Sequence, residues 1–199
     1  MKERFNFKIN SDPDHIWFTS DTHFGHSNIL KFCNRPFTNI KEHDEVLINN
    51  WNAIVQPNDT VFHLGDFAFA SPGYIREVVS RLNGNITLII GNHDWKNLNQ
   101  STLELFNKTA QQLYIQINGR KVLLNHYPML CFAGTYRRDE DRVYQLFGHV
   151  HSGPNAIIGE DLPRLEYLFN NCQYDVGVDN NNFRPISFTE VDNILNGQN

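Results

Sequence analysis

Nowhere does the chain hold an unbroken apolar run of about 18 residues, the length a helix needs to cross a bilayer. Met1 to Asn10 carries charges but lacks the apolar stretch of about 7–15 residues that marks a secretory leader. The expectation is a cytoplasmic protein with no membrane attachment. Cysteine is scarce: Cys33, Cys131 and Cys172 are odd in number, far apart and in no C-x-x-C pair, which fits neither a disulfide framework nor a thiolate metal centre. They read as reduced, mostly buried thiols. Positive charge is also short. Against 22 Asp and Glu stand 17 Lys and Arg, a formal charge of -5, so the chain lacks the phosphate-neutralising excess of a strongly basic nucleic-acid binder. No repeat, Pro-rich linker or low-complexity tract divides it, and a single domain over 1–199 is expected.

What is present is ordinary globular composition: 40% hydrophobic residues and 13% aromatic, with 15 Phe, across 199 residues. A chain of that length can bury roughly 70% of its unfolded surface. Ile16–Ser20 is a short β-favouring run that ends in Asp21-Thr22-His23, and Thr60–Leu64 is a second that ends in Gly65-Asp66. Ile86–Ile90 is a third, delivered into Gly91-Asn92-His93-Asp94. Between them, Asp44–Val55 shows helical periodicity with Pro57 beyond its end, and Pro72–Leu82 is bounded by a Ser71 cap and an Asn83-Gly84 stop. Strand, helix, strand, helix, strand predicts a parallel α/β core. Asn118-Gly119 between Leu113–Ile117 and Lys121–Asn125 is a strong hairpin turn, from which antiparallel strands are expected in the second half. Further strands are expected at Tyr144–Phe147, Leu165–Phe169 and Tyr174–Val178, and a closing helix near Thr189–Leu195.

The chemistry-bearing residues fall in five ordered blocks: Asp21-Thr22-His23, Gly65-Asp66, Gly91-Asn92-His93-Asp94, His126, and Gly148-His149-Val150-His151. Each follows an apolar strand, and in open α/β sheets binding sites lie outside the carboxyl ends of the strands. Asp, His and Asn supply the oxygen and imidazole donors that suit Mn²⁺, Fe or Zn²⁺. A carboxylate set between two ions can bridge them, and Asp66 is the candidate.

In their order and spacing these blocks resemble the calcineurin-like metallophosphoesterase superfamily, over about Ile16 to His151. The resemblance implies an α/β fold of α-β-β-α sandwich type, with mixed sheets and helices on the outer faces. It implies two divalent ions, Mn²⁺ first with Fe, Zn²⁺ or Ni²⁺ as alternatives. Asp21, His23 and His151 would hold one, Asn92, His126 and His149 the other, and Asp66 would bridge. A hydroxide shared by the ions would attack phosphorus, with His93 as general acid and Asp94 orienting its ring. A phosphodiester or small phosphorylated metabolite is the expected partner, because Gly65-Asp66 continues into the apolar Phe67-Ala68-Phe69-Ala70, where members acting on phosphoproteins continue with Asp, Arg and Gly. A metal-dependent nuclease is the less favoured reading, and a catalytically inactive scaffold is the alternative from another class. Oligomeric state stays open.

Other residues carry blander expectations. His15, His43 and His63 lie outside the blocks and read as structural or surface residues, while His26 stands evenly between a structural and a substrate role. Asp175 and Asp179 read as loop or strand-edge acids outside the site. Arg137, Arg138 and Arg142 read first as a solvated charged face, with a phosphate clamp as the alternative, and Arg35 and Arg184 share that ambiguity. The Phe67 and Phe69 pair reads as core or pocket wall.

Overall fold

The computed structural model describes residues 7–135, 137, 141–154 and 172–197. Two five-stranded mixed sheets pack face to face. The first has the order β10-β2-β3-β4-β5, built from β2 (Ile16–Thr19), β3 (Thr60–His63), β4 (Asn85–Ile89), β5 (Lys108–Ala110) and β10 (Ile186–Ser187). The second runs β1-β6-β7-β8-β9, from β1 (Phe7–Ile9), β6 (Gln112–Ile117), β7 (Arg120–Asn125), β8 (Val143–Phe147) and β9 (Gln173–Asp175). Within the first sheet β2 to β5 are parallel, and β10 joins β2 antiparallel at the edge.

Strand periodicity sets the layers. In β2 and β3, Ile16, Phe18 and Phe62 turn into the space between the sheets, where they meet Ile115, Val122, Leu124, Tyr144 and Leu146 from the second sheet. Trp17 and Val61 point the other way, with Ile86 and Leu88 of β4, onto helices α2 (Ile40–Ile54) and α3 (Pro72–Arg81). One sheet face thus builds the inter-sheet core and its opposite face builds the helix-covered core. Helix α2 starts four residues before the expected Asp44, because Asn39 caps it by accepting from the Glu42 amide (3.0 Å). The short α1 (Ile29–Phe32), α4 (Asp94–Asn97) and α5 (Gln100–Leu103) lie in connections after strand ends, and α6 (Phe188–Leu195) closes on the inter-sheet core through Phe188 and Val191.

The antiparallel strands expected in the second half are present, joined by parallel ones. Antiparallel pairing in the second half joins β6 to β7 through a hairpin whose turn residues Asn118 and Gly119 both take positive φ, as a two-residue turn requires, and joins β10 to β2. Strands β7, β8 and β9 are parallel. The physical reason is connection length: a two-residue loop can only reverse the chain, whereas the long segments before β8 and β9 allow crossovers. Parallel direction sends the carboxyl ends of β7 and β8 to one edge, and with them His126 and His149. The strand expected at Leu165–Phe169 lies outside the described residues. Strands β1, β5 and β10 span two or three residues, too few to show a period.

Trp51 is the largest of the wholly buried side chains, 1% exposed, and its indole donates to the Asn83 carbonyl (2.9 Å). Trp51→Ala is expected to lower unfolding free energy by about 3–5 kcal/mol through the lost burial and the cavity left between α2 and the sheet. Urea denaturation measures it, and a loss under about 1 kcal/mol would show that the site collapses to fill the gap.

Candidate metal centre

All five blocks meet at the shared edge. The loop after β2 lies alongside the loop after β3, stitched by the Asp21 amide on the Gly65 carbonyl (2.9 Å), the His23 amide on Asp66 (3.0 Å) and the Phe24 amide on Phe67 (2.9 Å). Asp21, His23, Asp66, His149 and His151 all adopt positive φ, between 49 and 72°. This left-handed backbone costs a non-glycine residue on the order of 1–3 kcal/mol and persists only where the surroundings enforce it, as functional sites do. Two glycines allow the crowding. A Cβ on Gly91 would overlap the Asp66 carboxylate, and one on Gly148 would overlap Asp21 and Ser20.

The side chains form two clusters, each with its ligand atoms within 4.8 Å of one another: Asp21, His23 and His151, and Asp66, His126 and His149. Asn92 joins the second through Oδ1, 3.0 Å from His126 Nε2. Asp66 stands between them. Its Oδ1 accepts from the His93 amide (2.9 Å), leaving Oδ2 at 3.7 Å from His23 Nε2 and 3.5 Å from His126 Nε2. His151 Nε2 and Asp21 Oδ1 are 3.8 Å apart. Such gaps exceed a good hydrogen bond and match ligands that share an ion at about 2.0–2.2 Å.

Two buried atoms decide the fit. Asp21 Oδ1 and His23 Nε2 have no hydrogen-bond partner, and both face the first cluster. Burying such groups unpaired costs about 1–3 kcal/mol each, a cost that a bound cation removes. The field has the right sign as well. Burial disfavours the cationic forms of His126 and His151. Even so, Asp66 and Asp21 push His126 up to about 9, and Asp21 and Asp179 push His151 up to about 11. The carboxylates demand positive charge here, which a divalent ion supplies.

The sequence profile of the calcineurin-like phosphoesterase superfamily domain matches residues 15–160. The chain belongs to that superfamily. It is 35% identical to an uncharacterised protein of Methanocaldococcus jannaschii over 178 residues, covering 86% of each chain. To the Gene 66 protein of Mycobacterium phage L5 it is 30% identical over 160 residues, covering 68% of this chain and 77% of the phage protein. A solved structure of a protein of unknown function from Aquifex aeolicus superposes with TM-score 0.67 at 26% identity, covering 90% of this chain and 98% of that one.

Within this phosphoesterase fold some residues stand apart from expectation. Among the described residues Asp94 makes no hydrogen bond to the His93 ring. Its buried carboxylate accepts from the amides of Asp66 (2.8 Å), Phe67 (2.9 Å) and Gly91 (2.8 Å), clamping the loops after β3 and β4 together. Asp179 was expected outside the site, yet it accepts from His151 Nδ1 (2.8 Å) and from Arg35 Nε (2.8 Å) and a second guanidinium nitrogen (2.7 Å). His151 is thereby held with Nε2 facing the cluster. Cys33 also lies beside His151 and Asp179, but the short Nδ1 bond marks that group as support for the ligand.

Arg35 is buried and internally paired, donating also to the carbonyls of Asp21 (2.7 Å) and Thr22 (3.2 Å), and is no free phosphate clamp. Sequence reasoning missed the pairing of Asp179 with Arg35 because the two are 144 positions apart. The Asp175-Val-Gly-Val-Asp179 segment reaches the first block through the pairing of Ser20 with Gly177 and the Val178 amide on the Ser20 carbonyl (3.1 Å).

His43 and His63 are structural as expected. His43 bonds Asp44 (2.7 Å) and Arg35 (2.8 Å), and His63 bonds Thr22 (2.9 Å) while burial pushes its pKa down to about 3, so it stays neutral. His15 sits at the surface against Asp59. Arg137 pairs with exposed Asp141, as a solvated face would, whereas Arg138 lies outside the described residues.

Asp94→Ala orphans three buried amides and is expected to cost at least about 2 kcal/mol of stability by thermal or urea unfolding. Unchanged stability would return Asp94 to a purely catalytic role. Asp179→Asn is expected to weaken one of two metal-binding events by about 10–100-fold in calorimetric titration while sparing the other. An equal effect on both, or none, would refute its support of His151.

Proposed function

We propose that this chain is a dinuclear metal-dependent hydrolase of phosphate esters, acting on a phosphodiester or small phosphorylated metabolite. The observation that carries the reading is Asp66 Oδ2, poised between His23 Nε2 and His126 Nε2 with two clusters of ligands around it. Asp21, His23 and His151 would hold one ion, Asn92, His126 and His149 the other, with Asp66 common to both. The mixed oxygen and nitrogen donors suit Mn²⁺, with Fe, Zn²⁺ or Ni²⁺ as alternatives. Ions so held supply positive charge against the phosphate oxygens and an activated water.

The chain's own residues do the rest. His93 is fixed by its amide on Asp66 Oδ1, and its ring packs edge-on to His23 at 5.4 Å. It therefore stands beside the centre without belonging to either cluster, where an imidazole can protonate a departing alkoxide. Phe67 and Ala68, after the bridging aspartate, are buried in the helix-side core and offer no polar groups to a phosphoprotein.

The protein loaded with Mn²⁺ is expected to hydrolyse bis-p-nitrophenyl phosphate or p-nitrophenyl phosphate and to lose that turnover on chelation. His93→Ala is expected to retain about two metals per chain by elemental analysis while kcat falls about 10²–10⁴-fold. Absence of metal-dependent turnover on any phosphate ester defeats the reading, and metal loss in the variant would make His93 a ligand.

A further inference from the structure

The described residues expose six large apolar side chains, and five of them, Phe32, Phe69, Trp95, Tyr127 and Leu130, lie in the segments that follow β2, β3, β4 and β7. The sixth, Phe7, lies in β1 with the Lys108 ammonium 4.4 Å from the centre of its ring. Scattered exposed apolar residues need no explanation, but a set gathered on the rim of a charged centre marks a binding surface. Part of that set is ordered by its ring contacts. The Phe69 ring, 45% exposed, stacks on His26 at 4.8 Å with 21° between planes. Phe32, 66% exposed, meets His26 edge-on at 6.2 Å. This plate abuts the centre, for His93 lies 6.1 Å from His26 and 6.2 Å from Phe69, and His26 Nδ1 is 3.2 Å from His23 Nδ1.

We propose that Phe69, His26 and Phe32 form a stacking subsite for a flat heteroaromatic ring on the leaving-group side of the phosphate, so that the substrate is a nucleotide ester. The inference rests on the phosphoesterase reading above. A phosphate at the two clusters projects one ester arm toward His93, and that arm meets the plate. Aromatic faces left in water gain from any flat π system laid against them, and stacking does not depend on which base is offered. The side chains that form the plate are two phenyl rings and one imidazole. On the other flank Tyr127, 44% exposed, packs against His149 at 4.7 Å and His126 at 5.0 Å, and walls the second cluster. The preference for a ring is placed on the Phe69 flank because that is where His93 stands.

The test compares binding of adenosine 5′-monophosphate and ribose 5-phosphate to the Mn²⁺-loaded protein by calorimetry, two ligands with the same phosphate and sugar that differ in the base. The nucleotide is expected to bind at least about five-fold tighter, the lower end of what one stacked base contributes. Phe69→Ala is expected to abolish that ratio with ribose 5-phosphate affinity and metal stoichiometry unchanged, and Phe69→Trp to restore it. Equal affinities in the native protein overturn the subsite, as does a ratio that survives Phe69→Ala. Because base preference and turnover are read in separate measurements, the two readings fail separately. Turnover with no base preference removes the subsite alone, whereas base preference without hydrolysis of any phosphate ester removes the phosphoesterase reading alone.

Discussion

Two buried carboxylates, Asp21 and Asp66, are the constraint around which the rest of the structure is arranged. Each is nearly inaccessible to solvent, and each spends one oxygen on a backbone amide, Asp21 on His149 and Asp66 on His93, leaving the other turned toward imidazoles. Negative charge so placed is tolerated only with compensating positive charge nearby. The histidines supply part of it when protonated, and bound divalent metal would supply it without asking those histidines to carry protons. Seven side chains from five separate loops converge because they share this requirement.

Convergence at that density strains the backbone, and the sequence shows how the strain is accommodated. Left-handed conformations at Asp21, His23, Asp66, His149 and His151 turn successive side chains inward from very short loops. Gly91 and Gly148 remove the Cβ atoms that would strike the carboxylates. Asp94 then holds the loops after β3 and β4 with three amide bonds, a structural task that makes the active edge rigid. Beyond the ligands a buried chain of charge continues from His151 through Asp179 and Arg35 to His43 and Asp44, ending on the Tyr74 hydroxyl in α3. The helix layer is thus wired to one ligand cluster, which fixes imidazole orientation more firmly than loop packing alone.

Local signals were enough for much of this. Strands β2, β3, β4, β6 and β7, the helices α2 and α3 and the Asn118-Gly119 hairpin each announce themselves within a few residues, through apolar runs, helical periodicity, caps or turn chemistry. The candidate site was legible for the same reason: a site on an α/β edge draws on residues that immediately follow strands, so each block carries its own context. The parallel course of β8 and β9 was not legible, since strand direction is set by where a long connection travels and leaves no local mark.

Sequence by itself determined the parallel core and the edge on which the five donor-bearing blocks gather, because both follow from short-range patterns of apolar and donor side chains. Tertiary structure decided what those residues lean on. Asp179 reaches His151, Arg35 is buried under the first block, Asp94 clamps amides, and Phe69 with His26 forms an exposed plate beside His93. Each depends on contacts between segments distant in the chain, and distance in sequence carries no information about them until the sheets are assembled.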